Sequence, residues 1–152
     1  PGLPLLTWLP DRHFVLLDSR RNKATFLQQT LTLLPDTQKA EADCFRGREV
    51  GAYRPDLYQN CSIVTARAVG KAAELLLDAT ELLRNGGYLI LLKGPNFITD
   101  ESDEFDRACQ KLNFALQDIH PIALDENDPD RYVVVCKRMA GRKNKAGHKY
   151  KF

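Results

Sequence analysis

Val15 to Leu27 reads VLLDSRRNKATFL, and this stretch decides the fold. It begins inside the short apolar run His13 to Leu17, which is typical of a buried parallel strand that ends at a loop. From Arg20 to Leu34, apolar residues recur at spacings of three and four, which predicts a helix whose start Asp18 or Ser19 can cap. A strand, a polar turn and a helix therefore follow one another directly.

The same alternation continues through most of the chain. Further strands are predicted at Gln38–Phe45, Cys61–Thr65 and Tyr88–Leu92, and further helices at Lys71–Leu83 and Ser102–Leu112. Asn85-Gly86-Gly87 is expected to close the first of these helices, because glycine commonly ends a helix. Since neighbouring parallel strands need crossover helices, the pattern predicts an α/β, Rossmann-like fold with a doubly wound, mostly parallel sheet.

The last part of the pattern departs from this alternation. Phe114–Pro121 and Arg131–Cys136 both have strand-like sequences, and only the turn-rich LDENDPD lies close between them. That connection is too short for a crossover helix. We therefore expect an antiparallel C-terminal hairpin at the edge of the sheet.

The composition fits one globular domain, because 152 residues with 43% hydrophobic content suffice for one sizeable core but not two. Seven of the 22 Lys and Arg residues lie from Lys137 onward, where no acid occurs. Residues 1–136 contain the other 15 together with all 20 acids, so their net charge is −5, whereas residues 137–152 carry +7. We expect a core at residues 1–138 and a basic, flexible tail at 139–152 that favours a polyanionic partner.

The cysteine spacing and the hydropathy indicate the cellular compartment in which the protein is expected. Cys44, Cys61, Cys109 and Cys136 lie far apart, so zinc and disulfide patterns are not indicated, and we expect buried, reduced thiols in a cytoplasmic protein. No apolar run approaches the roughly 20 residues that span a bilayer, and no signal-like leader precedes the first strand. We therefore expect no membrane association.

Candidate site residues follow from the fold, because ligands of doubly wound sheets bind beyond the carboxyl ends of the strands. The positions at those ends are Asp18, Asp43–Glu49, Thr65–Ala68 and Lys93–Asn96. An acid at the position of Asp18 accepts hydrogen bonds from both ribose hydroxyls of an adenosine cofactor, and NAD and S-adenosylmethionine satisfy it equally. Asp18 also suits a purely local role as the cap of the following helix.

Five short motifs, taken in order and spacing, resemble the RsmG (GidB) family of bacterial ribosomal RNA methyltransferases. They are PGLPL, LLDSRRNKATFL, RGRE, VTARAV and LLKG, which together extend from Pro1 to Gly94. The resemblance implies a class I methyltransferase fold, whose sheet also closes with an antiparallel hairpin. It further implies that S-adenosylmethionine methylates guanine N7 in small-subunit (16S) ribosomal RNA. The partner would be that RNA or the small-subunit particle, and we expect a monomer.

The resemblance assigns cofactor-binding roles to six positions, and Arg67 is one of them. Gly2 would end the cofactor loop, Asp18 would hold the ribose, and Ser19 would orient the turn. Arg48 and Glu49 would lie where the family contacts adenine. The family's glycine-rich loop would precede Pro1, so we expect the natural protein to begin upstream of it.

The resemblance also implies that Arg67 faces the site, which makes Arg67 the first candidate for contact with RNA phosphate or guanine. Lys93 is the second candidate. Each has a structural alternative in this sequence. Arg67 could cap its strand and pair with Glu49, and Lys93 could be the solvated end of an apolar strand.

Other functions are compatible with the same pattern. A class I methyltransferase with another acceptor shares the fold and Asp18, although the basic tail favours RNA. A non-catalytic RNA-binding module would keep the sheet without a working cofactor pocket. A nicotinamide dehydrogenase is a third alternative, because NAD also suits Asp18.

Overall fold

The computed structural model describes residues 1–34, 39–123 and 131–141. Its helices are α1 (Gly2–Trp8), α2 (Arg21–Leu33), α3 (Val50–Tyr53), α4 (Ala72–Leu82) and α5 (Ser102–Lys111). Its strands are β1 (Phe14–Leu17), β2 (Ala40–Asp43), β3 (Cys61–Arg67), β4 (Leu83–Lys93), β5 (Phe114–Ile122) and β6 (Arg131–Arg138). The predicted order of strands and helices is confirmed. The predicted LDENDPD turn, and the tail from residue 142 onward, lie outside the described residues.

Hydrogen bonds divide the strands into two sheets. β1 and β2 form a parallel pair, and β3, β4, β6 and β5 form a four-stranded sheet in that order. β3 and β4 are parallel, whereas β6 is antiparallel to both of its neighbours. The α/β, mostly parallel architecture with an antiparallel C-terminal hairpin is confirmed.

The hairpin sits differently from the prediction in one respect. Only β5 forms the edge, and β6 lies inside the sheet between β4 and β5. The side chains explain this order. Val134 and Cys136 of β6 are fully buried, whereas Asp118 and His120 of β5 are exposed and polar. A polar strand suits a sheet edge, while an apolar one gains more from burial on the inside.

Three apolar clusters hold the layers together. α1 and α2 pack against β1 and β2, and α4 and α5 pack against the four-stranded sheet. A third cluster contains Phe45, Val50, Leu57 and Leu82, and it contacts both β1 and β3. Complete burial of one such side chain contributes roughly 2 kcal/mol. This third cluster therefore joins the two sheets, although no strand pairing does so among the described residues.

The predicted end of the helix at Asn85-Gly86-Gly87 is wrong. α4 ends at Leu82 and β4 begins at once at Leu83, so no glycine turn separates them. The Arg138 guanidinium, reaching over from β6, donates hydrogen bonds to the carbonyls of Thr80 and Leu83 at the helix end. A residue 55 positions away in the sequence thus satisfies carbonyls that a local glycine motif would otherwise satisfy.

The expectation of buried thiols holds for part of the set. Cys109 and Cys136 are buried and Cys61 is half-buried, but Cys44 is exposed because it lies in the loop after β2. No helix among the described residues has both the length and the apolar character of a membrane span.

Glu101 joins three elements at the carboxyl end of β4. One oxygen of its carboxylate accepts hydrogen bonds from Lys93 Nζ at 2.8 Å and from the Ala72 amide at 2.7 Å. Lys93 Nζ also donates to the Gly70 carbonyl at 3.3 Å. The end of β4, the first amide of α4 and the π-helical turn Phe97–Glu101 are thereby held at one point. We refer to this arrangement as the Glu101 junction.

The charges of the Glu101 junction are largely shielded from water, since the Lys93 side chain is 10% exposed and that of Glu101 is 23% exposed. Burial raises the pKa of Glu101, but the hydrogen bonds from Lys93 and the Ala72 amide outweigh burial and lower the pKa overall. A depressed folded-state pKa contributes stability above the unfolded-state pKa, and this contribution is lost as the pH falls through the folded-state pKa.

Replacement of Glu101 by Gln should lower the free energy of unfolding by roughly 3 kcal/mol at neutral pH, because it leaves the Lys93 ammonium without its counter-charge. Urea denaturation of both proteins measures this difference. The difference should shrink as the pH falls from the ordinary pKa of Glu through the lower folded-state pKa of Glu101, where the wild-type carboxylate is also protonated.

Glu104→Gln is a matched control. Glu104 pairs with Lys71 at 3.5 Å, and both of these side chains are more than half exposed. An exposed pair contributes roughly 0–1 kcal/mol, so this variant should unfold almost like the wild type. Equal losses for Glu101→Gln and Glu104→Gln would contradict the importance of the junction.

Candidate cofactor and acceptor site

Asp18 lies directly after β1, at the carboxyl end of the parallel pair. Its amide donates to the Asp43 carbonyl at 3.3 Å, which continues the pairing of the two strands beyond their ends. Its Oδ1 accepts from the Arg20 amide at 2.8 Å, so Asp18 does stabilise the turn into α2. Among the described residues, Oδ2 has only Lys23 Nζ nearby, at 4.0 Å. The N-cap residue of α2 is Arg20 and no side chain caps the helix, so Asp18 acts in the turn and the predicted capping role is wrong. One carboxylate oxygen of Asp18 is therefore able to accept from a ligand.

Arg54 holds the neighbouring strand end in place. Its guanidinium bonds to Asp43 at 2.6 Å, to Glu41 at 2.9 Å and to Asp56 at 2.8 Å. A hydrogen bond from His13, assisted by Arg54, lowers the pKa of Glu41 against the opposing effect of burial. The end of β2 is thus tied to the segment after α3 by charge-assisted bonds. No local sequence pattern indicates the role of Arg54, because its partners on β2 lie on another element.

Ser19 and Gly2 border the same end of β1. The Ser19 side chain is exposed, and the Ser19 carbonyl accepts a weak bond from Cys44 Sγ at 3.8 Å in the adjacent loop. Gly2 starts α1 and packs against β1 so closely that an added Cβ would meet the terminal methyl of Leu16. A larger residue would have to displace that side chain, so glycine suits this close approach of helix and strand.

Arg48 and Glu49, the predicted adenine contacts, both have local partners. The Arg48 amide and Nε donate to Asp78 Oδ1 at 3.0 and 2.9 Å. Glu49 Oε2 accepts from the Arg46 amide at 2.8 Å and so closes the 3₁₀ turn Gly47–Glu49. A carboxylate has a second oxygen, so Glu49 keeps the capacity to accept from another donor, whereas Arg48 is committed to α4.

Arg67 ends β3, and its guanidinium is exposed. It makes no hydrogen bond or ion pair with any described residue, so the predicted alternative of a pair with Glu49 is wrong.

A cavity of about 640 Å³ opens beside Arg67. It lies at the carboxyl ends of β3 and β4, and the end of β5 and the start of β6 complete its wall. Its lining residues are Arg67, Ala68, Leu92, Lys93, Gly94, Pro95, Asn96, Phe97, Glu101, Ile122, Arg131, Tyr132 and Val133. This volume lies within the range of sites that enclose small molecules or single nucleobases.

The structure brings the two predicted contact residues, Arg67 and Lys93, to the same cavity. The two side chains differ in their interactions. Arg67 is without a partner among the described residues, whereas the Lys93 ammonium is held by Glu101 in the Glu101 junction. Lys93 is therefore not a solvated strand end, and its side chain fixes the wall of the cavity.

Glu101 and Tyr132 were not among the predicted site residues, whereas Asn96 lies at the end of the predicted range Lys93–Asn96. No local pattern indicates Glu101, because its partner Lys93 lies on another element. Tyr132 was counted only as part of a strand. Within the described part of the chain, no group of three or more His, Cys, Asp or Glu side chains is arranged to hold a metal ion.

Solved structures with a similar fold are methyltransferases. An S-adenosylmethionine-dependent methyltransferase from Methanosarcina mazei is 10% identical, with a TM-score of 0.68 over 89% of this chain and 86% of that one. Fibrillarin from Aeropyrum pernix, solved with bound S-adenosylmethionine, is 20% identical with a TM-score of 0.57, over 82% of this chain and 55% of that one. These likenesses confirm the expected class I methyltransferase fold.

Sequence relatives are more specific. A protein from Carboxydothermus hydrogenoformans named ribosomal RNA small subunit methyltransferase G is 30% identical over 91% of this chain. A protein of the same name from Coxiella burnetii is 33% identical over 62% of this chain. The chain spans 58% of the first relative and 43% of the second. This chain is thus similar to a part of each relative.

A family model described as GidB, rRNA small subunit methyltransferase G, matches residues 1–128. The match includes all five motifs that carried the resemblance, from PGLPL to LLKG. It also includes Asp18, Arg67 and the greater part of the cavity wall. The chain belongs to the GidB family.

Proposed function

We propose that this chain forms the S-adenosylmethionine-binding part of an enzyme that methylates N7 of a guanine in 16S ribosomal RNA. One observation carries the proposal. Asp18 follows β1 with one carboxylate oxygen available, and Arg67 ends β3 at a cavity without a partner among the described residues, so both groups lie at carboxyl ends of parallel strands, the edge at which ligands of such sheets bind. Membership of the GidB family supports ribosomal RNA as the acceptor, either free or in the small-subunit particle. Free ribosomal RNA and the small-subunit particle would both be encountered in the cytoplasm.

The residues at this edge fit S-adenosylmethionine. Asp18 Oδ2 is available to accept from the ribose hydroxyls, while Oδ1 keeps the turn in place. Gly2 leaves no side chain between α1 and β1, so the backbone can approach a ligand closely. We assign the adenine amino group to the second oxygen of Glu49, with Ser19 orienting the turn beside it. Arg67 lies where it can attract a carboxylate of the cofactor.

The proposed chemistry places few demands on the protein. When bound, S-adenosylmethionine supplies an electrophilic methyl group on a sulfonium sulfur. Guanine N7 already has an in-plane lone pair, so the chain needs no general base. Its residues have to hold the acceptor base in line and exclude water, which are effects of position and electrostatics. The pairing of Glu101 with Lys93 is compatible with this, because neither group has to exchange a proton.

The direct test uses purified protein, S-adenosylmethionine with an isotopically labelled methyl group, and 16S ribosomal RNA, both free and in small-subunit particles. We expect the label at a guanine N7, located by strand cleavage specific for 7-methylguanine. Binding of the cofactor with transfer only to a small molecule or a protein would instead favour another class I methyltransferase. Absence of cofactor binding by calorimetry would contradict the enzyme and favour a non-catalytic RNA-binding module.

Asp18→Asn should weaken S-adenosylmethionine binding by roughly 10–100-fold, because charge-assisted hydrogen bonds to the ribose would be lost. The amide oxygen can still accept from the Arg20 amide, so the turn should persist and the melting temperature should change little. Calorimetry measures the affinity. Asp118→Asn, on the edge strand β5, is the control and should bind like the wild type; equal affinities for all three proteins would exclude Asp18 as the ribose ligand.

Arg67→Met should lower kcat/KM for the RNA by roughly 100-fold, because a charged contact to phosphate or guanine would be lost. The melting temperature should stay unchanged, since Arg67 has no partner among the described residues. Arg84→Met is the control, because Arg84 is exposed near the opposite end of β4. Arg67 would have no role in the reaction if both variants retained full activity in a methyl-transfer assay.

A further inference from the structure

Two residues of the cavity wall have binding groups that the fold does not use. Tyr132 is the second residue of β6, and Asn96 lies in the loop between β4 and the π-helical turn. We propose that Tyr132 and Asn96 bind and select the acceptor guanine, Tyr132 by stacking and Asn96 by hydrogen bonding to its Watson–Crick edge. This inference rests on the proposed function, since it assumes that the cavity receives the base to be methylated.

The Tyr132 ring is anchored on one side. It lies 6.4 Å from the Phe97 ring, which in turn meets Phe105 edge to face at 5.8 Å, and both phenylalanines are buried in the core. Tyr132 itself is half-buried and lines the cavity. Its hydroxyl makes no hydrogen bond with any described residue. A ring that is held from behind and open toward a cavity is a suitable surface for a nucleobase, and such stacking contributes roughly 1–3 kcal/mol.

Asn96 occupies the N-cap position of the π-helical turn, but its side chain makes no capping hydrogen bond. Asparagine is a favoured capping residue, but the exposed Asn96 side chain is not used in this way. The Asn96 carbonyl accepts from the Asp100 amide at 2.9 Å and from Thr99 Oγ1 at 3.3 Å, so the backbone alone holds the turn. The carboxamide, with its donor and its acceptor, is left for a ligand.

The chemistry of the cavity favours guanine over adenine. Arg67 is a pure donor, so it can bind guanine O6 but not the amino group that adenine carries at the same position. The Asn96 carboxamide oxygen can accept from guanine N1–H or from its 2-amino group. These contacts leave N7 open on the other edge of the base, where methyl transfer has to occur. Tyr132 supplies affinity for the base, and the Arg67 and Asn96 pair supplies selectivity.

The first test measures methyl transfer to 16S ribosomal RNA. Tyr132→Leu should lower kcat/KM by roughly 10–100-fold, whereas Tyr132→Phe, which keeps the ring, should stay within about threefold of the wild type. Tyr88→Leu is the matched control, because Tyr88 lies on β4 opposite Lys137, away from the cavity. The affinity for S-adenosylmethionine should not change in any of these variants, since Tyr132 acts on the acceptor only.

Asn96→Ala should reduce kcat/KM by roughly 10-fold, with an unchanged melting temperature, because the Asn96 backbone carbonyl still holds the turn. Asn85→Ala, in the exposed segment at the start of β4, is its control. Equal activity of each variant and its control would overturn the inference.

A second readout does not depend on methyl transfer. Saturation-transfer NMR with guanosine 5′-monophosphate as the probe, in the presence of S-adenosylhomocysteine, should detect contact with the guanine ring in the wild type and in Tyr88→Leu. The signal should be lost in Tyr132→Leu and should be weaker with adenosine 5′-monophosphate. Equal signals in Tyr132→Leu and Tyr88→Leu would overturn the inference even if N7 methylation is found. A signal that needs Tyr132 would support the base site even if the acceptor RNA is a different one.

Discussion

Glu101 accepts hydrogen bonds, through one carboxylate oxygen, from the ammonium at the end of β4 and from the first amide of α4. These donors come from separate elements, so the bonds tie the end of β4 and the start of α4 to the π-helical turn Phe97–Glu101. The part of the cavity wall that β4 and this turn supply depends on the junction, and β3, β5 and β6 complete the cavity around it.

The charges around the site are distributed unevenly, and this distribution has a functional meaning. Arg54, Arg48 and Lys93 are each engaged by carboxylates, so they stabilise the loops and are not available to a ligand. Arg67 has no such partner among the described residues, although it lies at the mouth of the cavity. An unpaired guanidinium at the end of β3 and an available carboxylate oxygen after β1 suit a reaction between a nucleoside cofactor and a polyanionic acceptor.

Much of the fold could be predicted from local patterns. The strand, turn and helix at Val15 to Leu27 were recognisable because an apolar run, a polar turn and a helical repeat are all encoded by adjacent residues. Asp18 was identifiable for the same reason, since it ends that strand. The free state of Arg67, the Glu101 junction and the cap that Arg138 places on α4 were not predictable, because each depends on residues from separate elements.

The sequence by itself determined the kind of fold, the strand ends at which a ligand would bind and the family, because periodicity and short motifs depend on residues close together in the chain. Tertiary structure decided which of the candidate cations is free, where β6 enters the sheet and which side chains form the cavity wall. The physical reason is that hydrogen bonds and burial between distant residues set these features, and no local pattern records them. The stretch VLLDSRRNKATFL placed Asp18 at the carboxyl end of β1, but only the tertiary structure brought Arg67, Lys93 and Tyr132 to one cavity.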